Sequence, residues 1–195
     1  MTIVFEGRPL RQTCWSFLAS RWLDRVLKLD YVRSMLRAAF PGSFDPPTFG
    51  HLNVVERASS IFDELLIVVA VNRQKQYLFS PEERISVMEE LVRPWPNVKV
   101  GLCETLIVDY LKQQDIRVLV RGVRGVTDFT YEFDLSMMNR SLNPSIETIF
   151  MTTDPRYFVL RSSAIKELAS FGGDISAMVP ETVAAMLKAK FPQRS

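Results

Sequence analysis

The run Phe40-Pro41-Gly42-Ser43-Phe44-Asp45-Pro46-Pro47-Thr48-Phe49-Gly50-His51 ends on the only histidine of a 195-residue chain. His51 also begins an amphipathic pattern, with Val54, Val55, Ala58, Ile61 and Phe62 at helical spacing. A Gly-Ser turn followed by a Gly-His pair at a helix N-terminus is suited to phosphate. Exposed backbone N–H groups and the helix dipole favour anions there, and small residues let phosphates approach closely. Three further segments carry cations or hydroxyls: the loop holding Lys75, the run Arg121-Gly122-Val123-Arg124 with Asp128, Tyr131 and Glu132 beyond it, and the stretch from Tyr157 to Ser163. Converging on one crevice, these segments would supply several cations, two hydroxyl-bearing turns and two helix N-termini. That inventory suits a nucleoside triphosphate and a second phosphorylated substrate.

Each of these residues also has a plainer reading. Lys75 alone is a solvated loop lysine. Arg124 can pair with Asp128 or Glu132 across one helical turn. Tyr131 and Phe133 read as core, Ser162 as an N-cap, and Glu82 and Glu83 as first-turn helix residues. Cys103 reads as an inert strand residue. Their order and spacing together favour function.

The elements that would position these residues alternate strand and helix from Met35 onward. Strands are predicted at Leu36–Phe40, Leu65–Val71, Val98–Leu102, Val118–Val120 and Glu147–Met151. The seven-residue apolar run at Leu65–Val71 is what a parallel strand covered on both faces requires. Ser80-Pro81-Glu82-Glu83 is a helix start, with Ser as N-cap, Pro at the first position and Glu three residues on. Pro94 and Pro96 end that helix. A short helix is predicted at Leu106–Gln113, and further helices at Thr127–Leu142, from about Ser162 to Gly172-Gly173, and at Pro180–Lys190. The pattern predicts an α/β fold: a doubly wound, mostly parallel Rossmann-like sheet with right-handed crossovers and C-terminal helices. Ligands in such sheets sit beyond the carboxyl ends of the strands, where all four segments fall.

Residues 1–34 read differently. They hold six Lys/Arg and three Asp/Glu, against a net charge of +2 for the whole chain. A signal peptide is rejected because charges interrupt the short apolar stretch at once. An organellar presequence fits poorly with Glu6, Asp24 and Asp30. The segment is expected to be an N-terminal extension ahead of a single domain at residues 35–195, with Met35 a plausible start. Two cysteines make no disulfide framework or metal cluster and fit a reducing compartment such as the cytoplasm. Near-neutral charge gives no pointer to nucleic acid, and the longest apolar run is too short to span a membrane.

The Thr48-Phe49-Gly50-His51 stretch, preceded by Gly42-Ser43-Phe44-Asp45-Pro46, resembles the (H/T)xGH signature of the nucleotidyltransferase superfamily. The segments Arg121–Glu132, Met138-Asn139-Arg140 and Phe79-Ser80-Pro81-Glu82-Glu83-Arg84 resemble bacterial phosphopantetheine adenylyltransferases more narrowly, over about four-fifths of the chain. The resemblance implies transfer of the adenylyl group of ATP to 4′-phosphopantetheine, with dephospho-coenzyme A and pyrophosphate as products. It implies catalytic roles for His51, Lys75 and Arg121, with Lys75 and Arg121 on the pantetheine phosphate and Ile107 on its arm. Ser43 would contact the reacting phosphates. Phe44, His51, Gly122, Val123, Arg124 and Glu132 would bind ATP, as would Tyr157, Phe158, Val159, Leu160, Arg161, Ser162 and Ser163. The family loop commonly reads Ile-Ser-Ser-Ser, so Leu160-Arg161-Ser162-Ser163 departs from it by one added cation. Ser43 stands where Thr is usual and keeps the hydroxyl.

The resemblance further implies Mg²⁺ accompanying ATP, with no dedicated carboxylate cage visible, a homohexamer, and coenzyme A as feedback inhibitor. Two alternatives stand beside it. One is a sister nucleotidyltransferase acting on nicotinate mononucleotide or using CTP, which the Arg121–Glu132 segment disfavours. The other is a non-catalytic nucleotide-binding protein on the same fold, which intact His51, Lys75 and Arg121 disfavour.

Overall fold

The computed structural model describes residues 35–192, so the predicted extension at residues 1–34 lies outside the described residues. Five parallel strands, β1 (Arg37–Gly42), β2 (Glu64–Ala70), β3 (Val98–Cys103), β4 (Val118–Val123) and β5 (Glu147–Thr152), form one sheet in the order β3-β2-β1-β4-β5. The helices are α1 (Phe49–Ser59), α2 (Pro81–Leu91), α3 (Ile107–Gln113), α4 (Val126–Leu142), α5 (Ser162–Ser170) and α6 (Glu181–Lys190). A single 3-10 turn at Pro155–Tyr157 precedes α5. The doubly wound parallel sheet is as predicted.

Strand alternation sorts the core onto two faces. Ala38 and Phe40 of β1, with Leu65, Ile67 and Val69 of β2, pack with Val54, Val55 and Ala58 of α1 and Met88 of α2. Ala39, Leu66 and Val68 point the other way, to Val108 and Leu111 of α3. A third cluster joins Phe79 and Val87 to α5 and α6 through Ile165, Val183 and Leu187. It docks the C-terminal helices beside the start of α2.

The strand order reverses between β1 and β4, and the ladder there is short. Only Ala38–Val118 and Ala39–Leu119 are paired, whereas β1 pairs with β2 along its whole length. Pro41 has no N–H to extend a ladder. Its carbonyl accepts instead from the Arg121 guanidinium at 2.9 Å. The two strands thus part toward their carboxyl ends, and a cleft opens at the switch point.

Several boundaries differ from those predicted. β4 runs on through Val123 because β5 pairs with it as far as Val123–Thr152. Arg121, Gly122 and Val123 are therefore strand residues rather than a loop after the strand. Gly122 packs closely there, since a Cβ would stand 3.2 Å from the Val54 side chain of α1. Ile61 is 57% exposed rather than on the buried face of α1. Hydroxyls of Ser59 and Ser60 bond back to the carbonyls of Glu56 and Arg57, and the helix stops before Ile61. Tyr131 and Phe133 are exposed, not core, because none of the 17 residues of α4 is buried. Cys103 is buried at the end of β3, as expected of an inert strand residue.

Candidate active site

A cleft of about 470 Å³ opens at the β1/β4 switch point. Ser43, Phe44, Thr48, Gly50 and His51 line it from the first signature, and Arg121, Gly122, Arg124, Asp128, Tyr131 and Glu132 from β4 and α4. Leu160, Arg161, Ser162 and Ser163 close the third side.

Thr48 is the N-cap of α1, and its hydroxyl lies 2.9 Å from His51 Nδ1. The Thr48 backbone N–H donates to the same nitrogen at 3.1 Å. This is a capping box with histidine in the place usually held by Glu or Gln. A ring nitrogen that accepts a backbone N–H carries no proton, so the imidazole is the neutral tautomer with its hydrogen on Nε2. Loss of hydration on burial, and secondarily the charge of Arg124, lower the His51 pKa from the ordinary 6.5 to about 4. At neutral pH the site therefore offers a neutral N–H donor, held by the same bonds that start the helix.

Because folding lowers this pKa, the folded chain binds fewer protons between pH 4 and 6.5. The associated stability is complete above pH 6.5 and is lost as pH falls toward 4, by up to about 3 kcal/mol. As the sole histidine, His51 gives the only imidazole signals in a proton NMR spectrum. They are expected to titrate near pH 4; a midpoint near 6.5 would refute the neutral ring.

Two of the three arginines of the cleft are held by carboxylates. Arg121 donates to both Glu132 oxygens at 2.5 Å, and Arg124 to Asp128 at 2.7 Å and the Leu160 carbonyl at 3.3 Å. The first ion pair joins β4 to α4; the second joins the residue after β4 to α4 and also tethers the final loop. A guanidinium has five N–H groups. Arg121 has committed three of its own, counting the bond to Pro41, which leaves two for an anion. Three guanidiniums, with Arg161, against Asp128 and Glu132 leave the lining one net positive charge.

Helix α5 begins at Ser162, and Arg161 is its N-cap with no side-chain cap bond. Ser162 is thus the first helical residue rather than the predicted N-cap. Its hydroxyl donates to the Pro46 carbonyl at 2.9 Å, tying the final loop to the first signature. The uncapped first-turn N–H groups of α5 remain as anion donors beside the cleft.

The structure does not bring every predicted residue to the cleft. Lys75 is exposed and outside the lining, because its loop closes on itself. Lys75 N–H donates to the Asn72 carbonyl, Gln74 N–H to the Asn72 side chain, and Asn72 N–H to the Tyr77 hydroxyl. Ile107 packs into the core cluster under α3. Val123 is buried in the sheet, Tyr157 packs toward Phe49, and Phe158 and Val159 are exposed to solvent.

Asp45 was in view as part of the signature without an assigned role. It is 4% exposed, accepts from the Leu78 and Phe79 N–H groups, and pairs with Lys166 of α5 at 2.6 Å. It latches the first signature to the Lys75 loop and to α5. Asp45→Asn should cost about 2–4 kcal/mol in urea unfolding. A cost near zero would show that the latch carries nothing.

Comparison with known proteins shows the family. The cytidylyltransferase-like family matches residues 39–168. A phosphopantetheine adenylyltransferase of Treponema pallidum strain Nichols is 50% identical over 158 residues, covering 81% of this chain and 99% of that protein. The chain belongs to the phosphopantetheine adenylyltransferase family. Another member, from Caldanaerobacter subterraneus subsp. tengcongensis, is 45% identical over 154 residues, 79% of this chain and 96% of that protein. The fold is shared more widely. A crystal structure from Vibrio parahaemolyticus, provisionally designated a nicotinate-nucleotide adenylyltransferase, superposes with a TM-score of 0.59 at 20% identity, over 78% of this chain and 91% of that one.

Among the described residues, no group of three or more His, Cys, Asp or Glu side chains could hold a metal ion. The two carboxylates of the cleft are already engaged by arginines. For this adenylyltransferase-family site, a divalent cation fits as a companion of the phosphates rather than as a group caged by the chain. No described helix is long and apolar enough to cross a membrane.

Proposed function

We infer that this protein is an adenylyltransferase that transfers AMP from ATP to 4′-phosphopantetheine, giving dephospho-coenzyme A and pyrophosphate, the penultimate step of coenzyme A synthesis. The observation that carries this is the match at 50% identity to almost the whole length of a phosphopantetheine adenylyltransferase. The cleft has the chemistry for it. A phosphate oxygen of the acceptor attacks the α-phosphorus of ATP, and the bond from that phosphorus to the bridging oxygen breaks to release pyrophosphate. The acceptor phosphate is already ionised near neutral pH, so no general base is required. The barrier lies in aligning two anions and stabilising charge in the transition state.

In this reading His51 donates its Nε2–H to the transferring phosphoryl group. Arg121 holds the acceptor phosphate with its two uncommitted N–H groups, and Lys75, which stands in solvent outside the cleft, would have to turn in with its loop to join it. Ser43 and the Phe44 N–H contact the reacting phosphates, and Ile107 meets the pantetheine arm. Gly122, Val123, Arg124 and Glu132, with the segment from Tyr157 to Ser163, hold ATP. Mg²⁺ bound to the triphosphate neutralises charge on the leaving group.

Helix α4 supports assembly into a homohexamer. Its Phe129, Tyr131, Phe133, Met137, Met138 and Leu142 are all more than 40% exposed, an apolar surface of the kind that copies of a chain bury against one another. Coenzyme A, as the downstream product sharing the pantetheine arm, is proposed as an inhibitor at the same cleft, and the cytoplasm as the place of action. Residues 35–195 are proposed as the catalytic domain and residues 1–34 as an extension.

The test is pyrophosphate release with ATP and Mg²⁺, offering 4′-phosphopantetheine, nicotinate mononucleotide or glycerol 3-phosphate, and repeating with CTP. Release confined to ATP with 4′-phosphopantetheine is expected. Release with another acceptor or with CTP would overturn the substrate assignment.

A further inference from the structure

Arg84 is the largest fully buried side chain among the described residues, at 0% exposure, and it forms no ion pair there. It stands in the first turn of α2, after the N-cap Ser80 and Pro81. Only one of its nitrogens is bonded. Nη1 donates to the Ser43 carbonyl at 2.7 Å and to the Ala70 carbonyl at 3.2 Å. Nε and Nη2 are buried without a partner. The guanidinium is covered by the ring of Tyr77, whose centroid lies 4.1 Å away. A buried charge with neither counter-ion nor full hydrogen bonding is costly. It stands against the backbone of the first signature, where Ser43 and Phe44 line the cleft.

The peptide that Arg84 grips is Ser43–Phe44. Its carbonyl faces the guanidinium. In a planar trans peptide the N–H points opposite to the carbonyl, and the Phe44 N–H has no protein partner among the described residues. Phe44 also has φ of 47°, a left-handed conformation that is unfavourable for a residue with a Cβ. Packing of its ring against Phe40 and His51, at centroid distances of 5.7 and 5.2 Å, holds the side chain. Gly42 makes room, since a Cβ there would stand 2.8 Å from the ring. Ring packing leaves the plane of the Ser43–Phe44 peptide to be fixed, and the Arg84 bond to the Ser43 carbonyl fixes it.

We propose that Arg84 is a positioning residue that locks the Ser43–Phe44 peptide with its carbonyl inward and its N–H toward the cleft, as a preorganised donor for nucleotide phosphate. This rests on the adenylyltransferase reading of the cleft. Arg84 itself does not line the cleft, so it acts through the backbone it holds. The same guanidinium ties the end of β2 to the first signature through the Ala70 carbonyl, and through Tyr77 it reaches the loop that carries Lys75.

The lock makes a distinction that a general structural role does not. Arg84→Met keeps the volume and removes the donor, so the peptide can turn. Equilibrium binding of Mg·ATP should weaken by about 10- to 100-fold, the worth of a charge-assisted bond to the oriented group. Binding of adenosine, which has no phosphate, should stay within about twofold. In turnover, kcat should fall while the KM for 4′-phosphopantetheine moves little. Arg84→Lys keeps the charge and one donor to the Ser43 carbonyl, and should recover most of the ATP affinity. It also serves as the test variant if Arg84→Met does not fold, with an expected ATP loss of about threefold at unchanged adenosine affinity. Equal weakening of ATP and adenosine, or no weakening of either, would overturn the proposal. The binding comparison needs no acceptor. A wild-type enzyme that fails to use 4′-phosphopantetheine would therefore refute the adenylyltransferase reading without deciding the role of Arg84.

Discussion

His51→Ala should lower kcat by about 10²–10³-fold while leaving the KM for ATP within about threefold. A donor aimed at charge that develops only in the transition state contributes to kcat, not to ground-state affinity. The imidazole qualifies because its Nδ1 is committed to Thr48 and its Nε2–H is left over. Its neutrality matters as well. A ring with a pKa of about 4 cannot serve as a general acid in quantity at pH 7, so the contribution proposed for it is hydrogen bonding. The substitution also removes one side of a capping box, at a cost of about 1 kcal/mol. That would lower Tm by a few degrees, too little to explain a hundredfold loss of rate. Steady-state kinetics on folded protein check the point, and a variant retaining wild-type kcat would remove His51 from the mechanism.

Arg121→Ala should be at least as damaging, by about 10³-fold in kcat/KM for the acceptor, for two reasons that act together. The guanidinium proposed to hold the acceptor phosphate is lost. Glu132, whose side chain is 14% exposed, also loses its bidentate partner and remains as an uncompensated negative charge facing the substrates. The second effect is separable. The double variant Arg121→Ala with Glu132→Gln should recover about tenfold of the loss, since the neutral amide no longer repels phosphate. No recovery would mean that Glu132 acts in some way other than through Arg121. Unfolding in urea should show a cost of about 1–3 kcal/mol for the single variant, moderated by the partial exposure of the pair.

The strands were legible as short apolar runs, or in β3 as the alternation of Val98, Val100 and Leu102, and the mostly parallel sheet followed from strand–helix alternation. Boundaries failed where tertiary contact overrides local pattern. β4 extends past Val120 because β5 pairs with it, which nothing within the residues of β4 announces. Ile61 fits a helical face by spacing, but the serine pair before it ends the helix.

The same division holds in the site. His51, Arg121, Arg124 and Ser162 were found from their types and order. The restraints that make them useful were not. The capping box at Thr48 and His51 was readable in principle as Thr-x-x-His, with histidine where Glu or Gln is usual. The Asp45 latch and the buried Arg84 depend on contacts 33 and 41 residues away in the chain, and no local pattern marks them. Lys75 shows the opposite case. It fits by chain order, yet its loop satisfies its own backbone and holds the side chain in solvent.

The most direct measurement uses 4′-phosphopantetheine labelled with ¹⁸O in its phosphate, incubated with ATP, Mg²⁺ and the full chain, with both products read by mass spectrometry. Attack by the acceptor phosphate on the α-phosphorus keeps every acceptor oxygen in dephospho-coenzyme A, so the expected result is fully labelled dephospho-coenzyme A and unlabelled pyrophosphate in equal amounts. Label in the pyrophosphate, or no dephospho-coenzyme A from folded protein, would contradict adenylyl transfer by this cleft.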